Sequence, residues 1–407
     1  MTSRKFKGDR TMESFKENVF SRNITKFILI LLVAILSMCS LSFVAKADDN
    51  SISGTWQTLI DGKESSDGGL FFRFEFNENG TVDLTEESGD LNLTETKKFE
   101  RNGDEIQIIS AGDDKITSFD NAVLTVKSDS QIDFVTDEYT GVINLHKGGL
   151  AFFYWLLIPI VLIGINELCR KYKWATIIIY FIIPFAFIPI FAKQGVSHWF
   201  KWVKLYSVVF AVFWFFLVRY TKFGKKNSAK FIAATILGLN ILEAVSQDFS
   251  MGKLPNILNG LAGIFSIITL YYGWKGLKKD DSKEGDMVWP LMTTLWIIAY
   301  DVWNWVFVYL NFPGSASGQF MVIVSCTIPA LFIKKGTWLQ ARGFTLAAWF
   351  IYYFTFPRFT ESMQLMVFRN DLTMNLVAFI SIILNVICLV VFLKSLSKDK
   401  KMKLATK

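Results

Sequence analysis

The sequence predicts an all-α polytopic membrane bundle of about nine transmembrane helices, preceded by an exported all-β domain that forms a small barrel or meander. Three observations carry this. The 407-residue chain is 52% hydrophobic, with 39 Phe and 13 Trp, and after Gly149 its apolar residues gather into long runs. Runs near ~20 residues cross the ~30 Å of membrane hydrocarbon. Charge also falls in blocks: 8 basic and 3 acidic residues over 1–47, 8 and 22 over 48–148, and 27 and 11 over 149–407. Finally, apolar and polar residues alternate through 48–148, the period-two pattern of a half-buried strand.

The N-terminus reads as an export signal. Arg4, Lys5, Lys7, Arg10, Lys16, Arg22 and Lys26 precede the apolar run 27–44, and Ala45-Lys46-Ala47 fits a small-x-small cleavage site. Residues 1–47 are therefore a signal peptide or a signal anchor, and either places residue 48 outside the cytoplasm.

In the extracytoplasmic domain, 48–148, Phe72, Phe74 and Phe76 alternate with Arg73 and Glu75. The pairs Val82/Leu84, Leu91/Leu93, Ile106/Ile108, Leu124/Val126 and Ile132/Phe134 continue the rhythm. Asn79-Gly80 and Asn102-Gly103 mark hairpin turns. About eight short strands in this length suggest an up-and-down meander, which hides its edges by closing. Gly54-Thr55-Trp56 resembles the Gly-x-Trp signature of the lipocalin-like barrels, in which the Trp closes one end. A Trp packed under an open sheet is the alternative. An eight-stranded barrel either encloses only side chains or holds one small ligand.

From Gly149 nine apolar runs follow, at about 149–168, 175–192, 204–220, 231–249, 257–274, 289–310, 319–333, 343–357 and 374–393. They make up a transmembrane domain over 149–395 with a basic tail over 396–407. With residue 149 outside, the loops and tail expected in the cytoplasm hold twenty-one Lys/Arg, Arg219, Lys334 and Arg342 among them, against six on the other side. Cytoplasmic loops are enriched in Lys and Arg, so this asymmetry supports nine spans and a cytoplasmic C-terminus in a cell-membrane protein. The same placement explains the basic pI without nucleic acid.

Catalytic and metal motifs are absent from the sequence. His146 and His198 are the only histidines, the four cysteines (Cys39, Cys169, Cys326, Cys388) lie in or beside apolar runs with no Cys-x-x-Cys spacing, and neither Gly-x-Ser-x-Gly nor a phosphate-binding loop occurs. No enzyme, cofactor or metal is expected.

Polar residues within the spans carry the functional signal. A carboxylate in hydrocarbon costs ~2.5–3.5 kcal/mol on insertion scales, so it faces protein or water. Asn240, Glu243 and Gln247 share one helical face, and Asp301 and Asn304, with Trp305, share another. Counted from Phe231 and Trp289, Glu243 and Asp301 lie at one depth, with Asn385 near mid-membrane. These six residues form a candidate intramembrane polar site for a small solute or a proton; helix-stapling contacts are the alternative. Asp248 reads as interfacial, Glu167 as a solvated boundary charge, and Asp280, Asp281, Glu284 and Asp286 as a solvated loop.

Residues 239–245, Tyr300-Asp301-Val302-Trp303-Asn304-Trp305 with its continuation to Asn311, and Trp338-Leu339-Gln340-Ala341-Arg342 resemble an uncharacterised family of bacterial multi-pass membrane proteins, over about 149–395. The resemblance implies a membrane fold and carries no activity. The expected function is transport of a small solute through the polar site, with the lipid bilayer and the solute as partners. The alternative is a receptor or envelope-interaction protein whose β domain binds outside.

Overall fold

The computed structural model describes residues 52–405, apart from 53, 61–69, 89–90, 111, 113, 121, 129–130, 137–139, 146–147, 194–198, 272, 366 and 368. The export signal expected over 1–47, Cys39, His146 and His198 lie outside the described residues.

Eight strands follow in order: β1 (Gly54–Ile60), β2 (Leu70–Phe76), β3 (Thr81–Ser88), β4 (Leu91–Asn102), β5 (Glu105–Ile109), β6 (Val123–Ser128), β7 (Gln131–Val135) and β8 (Thr140–Leu145). Each pairs antiparallel with the next. β1 returns to β8 through Trp56↔Leu145 and Gln57↔Asn144, so the meander closes into a barrel. The glycines expected at the hairpins adopt the left-handed backbone such turns need, with φ of 80° at Gly80 and 62° at Gly103.

Side chains fill the barrel. Phe72, Phe74, Phe76, Val82, Leu84, Ile106, Ile108, Leu124, Ile132, Phe134 and Ile143 all point inward and are buried. The β5–β6 connection adds Phe119, whose ring lies 4.7 Å from Phe72, 4.9 Å from Phe74 and 5.2 Å from Phe134. Trp56 is buried, and its indole N–H donates to the Ile52 carbonyl at 2.9 Å. The connection is pinned from β4. Buried Lys97 meets Asp114 at 3.0 Å and also Asp120, while Glu95 accepts the amides of Lys115 and Ile116 at 3.0 Å.

Glu86, also buried, accepts from the Ser118 hydroxyl at 3.2 Å. Burial pushes its carboxyl above the usual glutamate range, against the lowering effect of Ser118. A raised folded-state value means that stability present below the unfolded-state pKa is lost as pH rises through the folded one. Glu86→Gln is therefore expected to raise the thermal midpoint of the barrel at about pH 8 and to leave it unchanged near pH 4. An equal effect at both pH values would show that ionisation of Glu86 is not the cause.

The rest is helical: α1 (Gly148–Lys171), α2 (Lys173–Ala186), α3 (Ile188–Lys193), α4 (Trp199–Tyr220), α5 (Asn227–Met251), α6 (Leu254–Leu270), α7 (Thr294–Asn311), α8 (Ala316–Ile333), α9 (Trp338–Thr355), α10 (Pro357–Ser362) and α11 (Asp371–Ala405). A two-stranded hairpin, β9 (Lys278–Lys279) and β10 (Met287–Val288), lies between α6 and α7.

Each of the nine apolar runs lies mainly on helix, but among the described residues only five helices are long and apolar enough to cross a membrane: α1, α4, α5, α8 and α11. The other four depart for identifiable reasons. A π turn over Ile178–Ile182, followed by Pro184 and Pro189, breaks α2 from α3. α6 has 17 residues. α7 and α9 are wrapped by their neighbours, fifteen of eighteen residues being buried in α7 and twelve of eighteen in α9. A helix that meets protein on all sides carries polar side chains that find partners there.

Small residues bring these helices close. A Cβ on Gly263 of α6 would collide with Val245 of α5 and Trp303 of α7, and one on Gly343 of α9 would lie 2.9 Å from the Phe215 ring of α4.

Candidate functional site

The structure separates the residues that the sequence groups together. Thr293 caps α7 by accepting from the Trp296 amide at 3.1 Å, and the chain before it turns through Trp289-Pro290. The helix thus starts at Thr294 rather than Trp289. At 1.5 Å per residue, Asp301, seven residues in, lies about 10 Å from its helix start; Glu243, sixteen residues after Asn227, lies about 24 Å from its own. Two residues on from each carboxylate, Val245 and Trp303 meet at Gly263, where a Cβ would lie 2.3 Å from the first and 2.7 Å from the second.

Glu243 is partly exposed and pairs with Lys204 of α4 at 2.5 Å. On the same face Asn240 is half-buried, and the Gln247 Nε2 is buried without a partner. Asn385 of α11 accepts from Ser266 at 2.7 Å and donates to the Ala299 carbonyl at 3.2 Å, joining α6, α7 and α11.

Asp248, expected at the interface, is fully buried instead. It accepts from Asn311 (2.8 Å), Asn259 (2.8 Å) and Asn256 (3.1 Å), a knot between α5, α6 and the end of α7. Three amide donors satisfy the carboxylate inside protein, which hydropathy alone does not reveal.

Asp286 corrects the solvated-loop expectation in the same way. It is fully buried, and accepts from Arg170 of α1 at 2.8 Å and Gln340 of α9 at 3.0 Å, with Arg219 of α4 at 3.7 Å. Glu167 pairs with Arg170 at 2.8 Å and is largely covered. Asp280 meets Lys334 at 2.6 Å. Burial raises the Asp280 pKa, but Lys334, Ser282 and the Asp286 amide outweigh it and hold the carboxyl below the usual range.

The remaining cluster lies between α7, α8 and α9. Arg342, counted from the sequence as a loop cation, sits in the second turn of α9 and is 5% exposed. One guanidinium nitrogen donates to the Asn304 Oδ1 at 3.0 Å, which also accepts from Gln319 of α8 at 2.6 Å. Asp301 accepts from Thr327 of α8 at 2.6 Å, and Thr327 in turn accepts from the Trp338 indole at 2.9 Å. Arg342, Asp301 and Tyr300 lie within electrostatic reach of one another. Yet the Arg342 Nε and Nη1 and the Asp301 Oδ1 hold no hydrogen bond, and the Tyr300 hydroxyl has the guanidinium as its neighbour.

A guanidinium has five N–H donors and stays charged at any physiological pH. Burying it with one hydrogen bond, beside an unsatisfied carboxylate oxygen, is costly unless something further binds there. Of the six residues expected to form the site, Asp301 and Asn304 meet here, while Asn240, Glu243, Gln247 and Asn385 lie elsewhere. Sequence reasoning missed Arg342, Tyr300, Thr327 and Gln319. Arg342 sits i+4 from Trp338 at the head of the apolar run 343–357, which is the available signal. No group of three His, Cys, Asp or Glu residues placed to hold a metal occurs among the described residues, and Cys169, Cys326 and Cys388 are buried free thiols.

No curated protein and no solved structure matches this chain. One family does match, over residues 147–407, which takes in the whole helical region and leaves the barrel outside. The chain belongs to that family of unknown function, DUF5692.

Proposed function

We propose that this protein binds a small solute between α7, α8 and α9 and moves it across the membrane. The observation that carries the proposal is three buried, unpartnered polar atoms on Arg342 and Asp301, with the Tyr300 hydroxyl beside them. Evolution tolerates orphaned charge in an apolar interior chiefly where it does work. The nine runs act as nine spans, with α7 and α9 sheltered by the rest, the barrel outside and the basic tail in the cytoplasm. With apolar side chains turned into the barrel, a receptor role for the β domain would rest on its outer surface.

The test compares small-molecule contents of cells expressing the wild-type chain with cells expressing Arg342→Gln or Asp301→Asn at matched membrane levels. At least one solute should differ between wild type and empty vector, and both substitutions should cancel that difference. Identical contents in all four strains would remove the transport reading.

A further inference from the structure

Resting on that transport reading, we infer that the site takes a small carboxylate together with one proton: the ligand's carboxylate replaces Asp301 as the counter-charge of Arg342, and Asp301 takes up the proton.

The inference starts from charge balance. Arg342 is permanently cationic, and Asp301 is the carboxylate within its electrostatic reach. The two share no ion-pair contact, so the positive charge is offset at a distance while Nε and Nη1 stay unused. A carboxylate offers two oxygens to a guanidinium in a geometry no neutral group matches. Its arrival beside Asp301 would leave a net negative charge in a low-dielectric interior, where unbalanced charge is heavily penalised.

Protonation of Asp301 restores neutrality. It also turns the orphaned Oδ1 into a donor, while Thr327 continues to serve the other oxygen. The Tyr300 hydroxyl, beside the guanidinium, gains an acceptor for its proton in the ligand. The three orphaned atoms on Arg342 and Asp301 are then satisfied. A cationic solute would add positive charge next to Arg342, and an uncharged one would leave the separated pair as it is.

The groups facing Asp301 suit this exchange. Arg342 comes from α9, Cys326 from α8, and Tyr300 is its neighbour on α7. The residues of α6 and α11 that bond to α7, Asn256, Asn259, Ser266, Thr269, Thr373 and Asn385, are uncharged, and Asp248 of α5 engages α7 at its far end through Asn311. Asp301 is thus the carboxyl positioned to change protonation against Arg342.

The test uses the full chain in detergent micelles with L-lactate, pyruvate and succinate as probes, and methylammonium as the cationic control. Calorimetry in buffers of different ionisation enthalpy counts the protons taken up. At least one carboxylate should bind with uptake of about one proton, and affinity should weaken roughly tenfold per pH unit once Asp301 is ionised in the free protein. D301N imitates the protonated carboxyl, so it should bind the same probe without proton uptake and with flat pH dependence. R342Q should lose binding by about a hundredfold or more, and R342K should recover part of it.

Binding of methylammonium alone, failure of all three carboxylates, or proton uptake that persists in D301N would overturn the inference. Should R342Q not fold, the pH profile of D301N alone decides. A site-dependent solute difference in cells, without carboxylate binding to the purified chain, would overturn this inference and leave the transport reading standing.

Discussion

Asp286→Ala is expected to destabilise the helical bundle by about 3–5 kcal/mol, the range seen when one partner of a buried ion pair is deleted. Asp286 sits at the meeting point of three helices: it accepts from Arg170 of α1 and Gln340 of α9 and lies 3.7 Å from Arg219 of α4. Arg170 would retain Glu167. Arg219, 1% exposed, would be left with the carbonyls of Cys169, Arg170, Glu284 and Gly285 and no carboxylate beside it. The aspartate also anchors the hairpin between α6 and α7, whose Leu277, Met287 and Trp289 are buried beneath the bundle. A second tether remains, Asp280 to Lys334. The variant should therefore show a lower thermal midpoint in detergent together with new protease cleavage within 280–286. Asp286→Asn should lose less, because its amide oxygen still accepts from Gln340 or Arg170. A change below about 1 kcal/mol in Asp286→Ala would place this residue among ordinary surface positions and refute the structural role.

The same residue shows where sequence reading stops. Asp280, Asp281, Glu284 and Asp286 alternate with lysines, the appearance of a solvated loop, and nothing local reveals that Arg170 and Arg219, more than sixty residues away in the chain, meet the last of them. Arg342 misled in the opposite way. Its charge suggested a loop on the basic side of the membrane, whereas Trp338, Leu339, Ala341 and Phe344 around it are buried helix. The two cases share a cause: sequence shows a charge's own cost of burial and not the partners that tertiary contacts supply. Helix starts depend on local chemistry that hydropathy misses: Trp289 is apolar and extends the run, but Pro290 and the Thr293 cap place the start of α7 five residues later, at Thr294. By contrast, the strands of the barrel were legible because side-chain alternation is a local property. Phe72, Phe74 and Phe76 point inward whatever the rest of the chain does.

Phe119→Ala is the second large expected effect, about 3–5 kcal/mol of barrel stability. The ring belongs to no strand. It reaches in from the β5–β6 connection and stands edge-on to Phe72 and Phe74, at interplanar angles of 77° and 87°. Its removal opens a void lined by Phe72, Phe74 and Phe134, and strands held by antiparallel ladders on either side collapse into it only partly. The loop would also lose its central contact, although Lys97 and Glu95 still hold it to β4. Hydrogen exchange of the strand amides in the full chain reads the loss directly, and faster exchange should be confined to the barrel. A dry apolar void of this kind takes up small aromatic molecules, so benzene should slow exchange in Phe119→Ala and leave the wild type unchanged. This pairing of results bears on function. If wild type and variant exchange alike, or if benzene protects the wild type, the interior already has room for a ligand, and a binding role for the β domain regains its support.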